Sequence, residues 1–121
     1  MYDEEYRQTI FLETWNYRRA LMQIKDAAKQ MAELGHETRL SIFRYLVKGG
    51  RQGVPVGAIQ AELNVPASTL SHHISRLVAV GLVIQCRKGR TLYCAPQYER
   101  LDELIEFLKD ECCIHETPAE P

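Results

Sequence analysis

Residues 56–96, VGAIQAELNVPASTLSHHISRLVAVGLVIQCRKGRTLYCAP, carry two apolar helical periodicities split by a breaker, then two runs of strand formers around a basic turn. No other stretch constrains the chain as tightly. Val56, Ile59 and Leu63 fall at helical spacing and predict a short helix with one apolar face, closed by Asn64 and Pro66. Pro66 suits the first turn of a new helix because its missing N–H would find no partner there, and Ser68 and Thr69 predict a capped start. Along that second helix Leu70, Ile74 and Leu77 recur at i, i+4 and i+7 and face a core, leaving Ser68, Thr69, Ser71, His72, Ser75 and Arg76 on the other faces. Gly81 ends it. Residues 82–86 and 91–95 are rich in strand formers, and Lys88 with Gly89 predicts the turn between them.

Short polar side chains on the outward face of a helix allow close approach to a groove and can donate to or accept from base edges and phosphates. Arg87, Lys88 and Arg90 bring three positive charges within four residues to the hairpin tip, where phosphates would meet them. The pattern predicts a mainly α fold with a small β-hairpin wing (α+β), a winged helix-turn-helix that contacts double-stranded DNA. Charge placement agrees. The net charge of the 121 residues is only −1, but residues 36–98 hold eight Lys or Arg against Glu37 and Glu62, a net of +6, while residues 99–121 carry −6. A basic centre between acidic ends is an electrostatic footprint for nucleic acid. A solvated surface with no target is the alternative.

The segments ELGHETRLSIFRYL and NVPASTLSHHISRLVAVGLVIQCRKGRTLYCA, in that order, closely resemble the ArsR/SmtB family of bacterial winged-helix repressors. The resemblance covers roughly residues 22–113, and STLSHHISRL followed by GLV and the RKGR wing is its most specific part. It implies a homodimer on operator DNA, joined through the N- and C-terminal helices and released when a metal ion, a metalloid or a thiol oxidant reaches the protein.

A chain this short has a modest core, and docking apolar helices against a second copy is a common remedy. Leu101, Leu104, Ile105 and Leu108 make a stripe on a C-terminal helix, and Leu21, Ile24, Ala27, Ala28, Met31 and Leu34 make a second one that the family would also place between subunits. The expected interface residues are therefore Ile24, Ala28, Met31, Leu101, Leu104, Ile105 and Leu108. No apolar run approaches the roughly 20 residues of a membrane span, and no signal-peptide pattern opens the chain, so a cytoplasmic protein without membrane contact is expected. Three segments follow: an extension at 1–21, the DNA-binding and dimerisation domain at 22–113, and a flexible acidic tail at 114–121. The extension reads as a helical arm, as a disordered segment, or as sequence ahead of a natural start at Met22.

Four cysteines in a cytoplasmic protein point to metal or redox chemistry before structural disulfides. Cys112 and Cys113 end the last predicted helix in the run KDECCIHE, with His115 two residues on, offering two soft thiolates and an imidazole. An adjacent pair does not easily form an unstrained disulfide with itself. The resemblance includes arsenic-responsive repressors with a vicinal pair at this place, implying As(III) or Sb(III) as inducer and no obligatory cofactor. Those relatives usually add a third cysteine shortly after the pair, and IHETPAEP has none. His115, Cys86, Cys94, a partner's thiol or a small molecule would complete the shell. Two other family sites are missing: GVPVGAIQAEL has no cysteine before the recognition helix, and residues 97–111 contain no histidine for a zinc cluster. Redox or persulfide sensing by the same thiols stays open, as does no role for them. A winged-helix protein-interaction module is the remaining alternative for the whole chain.

With a Lys88-Gly89 turn, position 83 pairs with 94 and 86 with 91, so Cys86 and Cys94 point to opposite faces and read as packing residues. His73 falls on the apolar face as a hydrogen-bonded structural residue, His72 points outward to DNA or solvent, and His36 acts locally at a helix start. No nucleophile, base and orienting acid can be assembled from these motifs, so no enzyme is expected.

Overall fold

The structure, a computed structural model, describes residues 22–117. The expected arm at 1–21, Leu21 of the first stripe, and tail residues 118–121 lie outside them. In chain order the elements are α1 (Ile24–Leu34), α2 (Glu37–Gly49), β1 (Val54–Pro55), α3 (Val56–Leu63), α4 (Ala67–Ala79), β2 (Val83–Lys88), β3 (Thr91–Pro96) and α5 (Tyr98–Lys109). Helices predominate, and the three strands form one antiparallel sheet in the order β1-β3-β2. This is the mainly α winged helix-turn-helix that the sequence predicts, with one more strand.

Beneath the recognition helix α4 lies the core. Leu70, Ile74 and Leu77 are buried with Ile42, Phe43 and Leu46 of α2, Ile59 of α3, Val54, and Leu82, Val83 and Cys94 around the hairpin. Their burial fixes the rotation of α4 about its axis, since a helix with one apolar stripe must turn that stripe inward. α3 stops at Asn64, which takes the left-handed conformation at φ 51°, one that Asn tolerates better than most residues. The N-cap of α4 is Pro66, in extended conformation, and no side chain caps the helix. Ser68 and Thr69 therefore do not cap it: Pro66 stands one place ahead of the expected first turn, which leaves both residues inside that turn.

At its other end α4 finishes in a hydrogen-bonded reversal. Gly81, at φ 80°, gives its N–H to Val78 O at 3.0 Å, and Leu82 gives its N–H to Leu77 O at 3.0 Å. This is the Schellman arrangement, and Leu82 and Leu77 make its apolar contact in the core.

The hairpin register differs from the expected one. Lys88 pairs with Thr91 and Val83 with Pro96, so Gly89 and Arg90 form the turn. Gly89 takes φ 62°, the positive value that the first central position of a II′ turn requires. The shift is even, and side chains alternate with period two, so Cys86 and Cys94 still face opposite sides: Gln85 opposes Cys94, and Cys86 opposes Tyr93. The third strand, β1, is only two residues long and pairs Val54 with Cys94 and Pro55 with Tyr93. Its brevity left no periodicity to read.

Ile74 is 1% exposed. Its replacement by Ala removes packing from both the core and the underside of α4, so a loss of about 2–5 kcal/mol is expected, read as a lower urea midpoint at unchanged slope. A loss under about 0.5 kcal/mol would place the residue outside the core.

Candidate nucleic-acid interface and thiol pair

On α4, Ser68, Thr69, Ser71, His72, Ser75 and Arg76 are all exposed, and Arg87, Lys88 and Arg90 are exposed at the hairpin tip. Lys88 Nζ sits 5.7 Å from the centroid of the Tyr93 ring, which leans its charge along the wing. The predicted contact residues therefore occupy two exposed polar surfaces, helix and wing, joined through the Gly81 reversal.

Not all of the counted basic charge is free for a partner. Arg76 is held by Glu33 of α1 in a two-pronged pair, Nε to Oε2 at 2.8 Å and Nη2 to Oε1 at 3.2 Å. Arg39, 8% exposed, lies 3.2 Å from the same Oε2, and Arg51 donates to Glu99 at 2.6 Å while its guanidinium stacks 4.7 Å from the Tyr98 ring centre. Three of the eight cations in the central segment thus serve the fold. Glu33 and Glu99 are the residues that reading by segment missed. They lie outside residues 36–98, and only the three-dimensional structure brings them to Arg76 and Arg51.

His73 is buried on the inner face of α4, where its Nδ1 accepts from Arg39 Nη1 at 3.2 Å. The ring is also 4.8 Å, centre to centre, from His36, whose own Nδ1 accepts from the Thr38 N–H at the start of α2. Both histidines have the local, structural roles expected of them. Burial, and then the neighbouring His36 and Arg39 charges, hold the His73 pKa below its ordinary value.

Interface candidates divide in two. Ile24 is 78% exposed, Met31 47%, Ile105 45% and Leu108 56%, and Ala28 is exposed as well. Leu104, by contrast, is 3% exposed, and Leu101 packs partly against the core. The C-terminal stripe is thus split, with Leu101 and Leu104 turned toward their own chain because α5 lies beside α1 and the core.

α5 ends at Lys109, so Cys112 and Cys113 lie beyond the helix rather than in its last turn. The reason is Asp110, which leaves the helix with ψ 143° and accepts the Glu111 N–H on Oδ1 at 3.2 Å. Linked turns follow, with Cys112 N–H bonded to Lys109 O at 3.0 Å and Glu116 N–H to Cys113 O at 2.9 Å. The two exposed thiols stand with their sulfurs 3.1 Å apart. Sulfurs that share one ion at about 2.3 Å each can be no more than about 4.6 Å apart, a limit the 3.1 Å separation satisfies. Among the described residues no three His, Cys, Asp or Glu side chains gather into a metal-holding group, His115 included. The Cys113 thiol is pushed up by its hydrogen bond to Cys112 and then by Glu116, and burial pushes up that of Cys94.

Residues 34–86 match the family described as a helix-turn-helix domain. The Halobacterium salinarum protein named "Putative arsenical resistance operon repressor ArsR2" is 31% identical over 86 residues, 71% of each chain. An ArsR-like transcriptional regulator from Rhodococcus sp. RHA1 superposes with a TM-score of 0.62 at 26% identity, over 70% of this chain and 77% of that one. The homodimeric winged helix-turn-helix DNA-binding domain of Mb0332 from Mycobacterium bovis does so with a TM-score of 0.58 at 25% identity, over 80% and 90%. Fold and matches together define a winged helix-turn-helix transcriptional regulator, a class of DNA-binding proteins and not of enzymes. The chain belongs to the ArsR/SmtB family of repressors. Among the described residues no helix is long and apolar enough to cross a membrane.

Because the His73 pKa is lowered in the folded state, the neutral ring's contribution to stability is complete above the unfolded value of about 6.5 and is lost as pH falls through the folded one. The urea midpoint should therefore drop between about pH 7.5 and about pH 5.5, and His73→Gln should flatten that dependence. An equal drop in the variant would assign the titration to another group.

Proposed function

We propose that two copies of this chain dock through the exposed apolar residues of α1 and α5, bind a pseudo-palindromic operator, and leave it when As(III) or Sb(III) binds at Cys112 and Cys113. Residues 22–113 form the DNA-binding and dimerisation unit. The polar face of α4 enters the major groove, with Ser68, Thr69, Ser71, His72 and Ser75 at base edges and phosphates, and Arg87, Lys88 and Arg90 on the flanking backbone. The observation that carries the DNA reading is the exposure of every one of these side chains opposite the buried Leu70, Ile74 and Leu77.

For the inducer, the carrying observation is the 3.1 Å separation of two exposed thiols. Soft thiolate ligands favour a metalloid of this kind. The name of the Halobacterium salinarum relative, an arsenical resistance repressor, supports the same choice. A third donor comes from outside the group of described residues in one chain, from the partner subunit or from a small thiol. The turns that carry the pair are bonded to α5 through Lys109 O, so whatever reorders them acts on the helix that bears Ile105 and Leu108.

Fluorescence anisotropy of the protein on its own upstream promoter fragment, titrated with arsenite, antimonite, zinc and peroxide, tests both parts. Replacing Cys112 and Cys113 with Ser should leave operator affinity intact and abolish release by arsenite, and unchanged release by the variant would overturn the thiol assignment. Replacing Arg87, Lys88 and Arg90 with Ala should weaken every duplex and lower the salt slope by about one for each phosphate no longer neutralised. An undiminished slope would remove the wing from the interface.

A further inference from the structure

A single carboxylate grips the recognition helix from α1. Glu33 takes Arg76, on the outer side of α4, with both oxygens, and the same Oε2 lies 3.2 Å from Arg39 Nε. Arg39 also donates Nε to the Glu33 carbonyl at 2.7 Å and Nη1 to His73, on the inner side of α4, at 3.2 Å. The fork-to-fork geometry between Arg76 and Glu33 is the arrangement in which a guanidinium binds a carboxylate or a phosphate most firmly. Glu33 is largely covered, with its side chain 15% exposed, whereas that of Arg76 is 47% exposed and lies on the face proposed to meet DNA. The hydrogen bond from Arg76 keeps the Glu33 carboxyl below its usual range, so it stays ionised at neutral pH.

We propose that Glu33 sets the discrimination between operator and bulk DNA by withholding Arg76 from phosphates until α4 is fully seated in a groove. This rests on the DNA-binding reading above. A phosphate needs the same guanidinium fork that Glu33 occupies. Recruiting it would leave a mostly covered carboxylate without its two-pronged partner, with Arg39 and His72 as the neighbouring basic groups. Binding to arbitrary duplex is driven almost entirely by phosphate contacts and the counterions they release, so the loss of one cation per protomer weakens that mode directly. On an operator, base contacts along Ser68, Thr69 and Ser71 hold the helix close enough for a phosphate to displace Glu33. The carboxylate therefore acts as a threshold on the loose mode of binding.

The test compares the wild-type chain with Glu33→Gln, Arg76→Ala and the double variant on the promoter fragment and on an unrelated duplex, across a range of salt concentrations. Glu33→Gln keeps the shape and an acceptor for Arg39 but releases Arg76. It should tighten the unrelated duplex on the order of tenfold per protomer at about 0.1 M salt and steepen its slope by about one per protomer, with a smaller gain on the promoter fragment. Adding Arg76→Ala should cancel the gain. Arg76→Ala alone should leave the slope on the unrelated duplex unchanged, and because its site is exposed it supplies the test even if Glu33→Gln does not fold. Equal slopes for wild type and Glu33→Gln, a gain that survives Arg76→Ala, or a slope lowered by Arg76→Ala alone would each overturn the inference. Failure of all four proteins to bind either duplex at low salt would overturn the DNA-binding reading, and this inference with it.

Discussion

The packing of Leu70, Ile74 and Leu77 beneath α4, against Ile42, Leu46 and Ile59, sets the orientation of the candidate interface. These contacts are not directional, yet with one stripe buried the polar stripe has a single place to go. The same core takes in Leu82 and Val83, so the hairpin begins where the recognition helix stops, with the hydrogen-bonded Gly81 reversal between them. A wing tied this closely to its helix meets a duplex as one body. Any inducer that acts on DNA affinity must move that body, or the spacing of two such bodies, and not one contact at a time.

Electrostatics completes this arrangement. Arg39 bonds inward to His73 and back to the end of α1, and Arg51 joins the segment after α2 to α5 through Glu99. These pairs are partly covered and hydrogen-bonded, the condition under which removing one partner is costly because the other is stranded. They also alter what the charge count means. A net of +6 over residues 36–98 counts Arg39, Arg51 and Arg76, which are engaged within the fold, together with the cations exposed on the wing and along α2.

Much of this was legible in the sequence because helices and their faces are local. The i, i+4, i+7 spacing of Leu70, Ile74 and Leu77 located α4 and both its sides, and the family's motifs gave the order of elements. What the sequence missed depended on pairing at a distance. The hairpin turn lay one residue further on because Gly89 meets a positive φ at the first central position and Lys88 stays in the ladder. β1 escaped notice because it is held by β3 and not by its own pattern. Leu104 could not be told from Ile105 as buried or exposed, since a stripe wide enough to pack on both its own chain and a partner reads as one stripe. The thiol pair was located by residue type, but its place past the helix end followed from the backbone at Asp110.

The sheet order β1-β3-β2 puts β3 in the middle and, among the described residues, leaves β2 with one side unpaired along its six residues. An unpaired strand edge is a template for another strand, and proteins commonly blunt such edges with charge and twist. Here Arg87 and Lys88 stand at the outer end of that edge, followed by Arg90 in the turn. A second wing brought alongside would meet three like charges with no anion between them. The residues proposed to hold phosphates thus keep the wing from recruiting its own kind when no duplex is present, so neutralising them for a binding assay also removes a safeguard against strand-to-strand association.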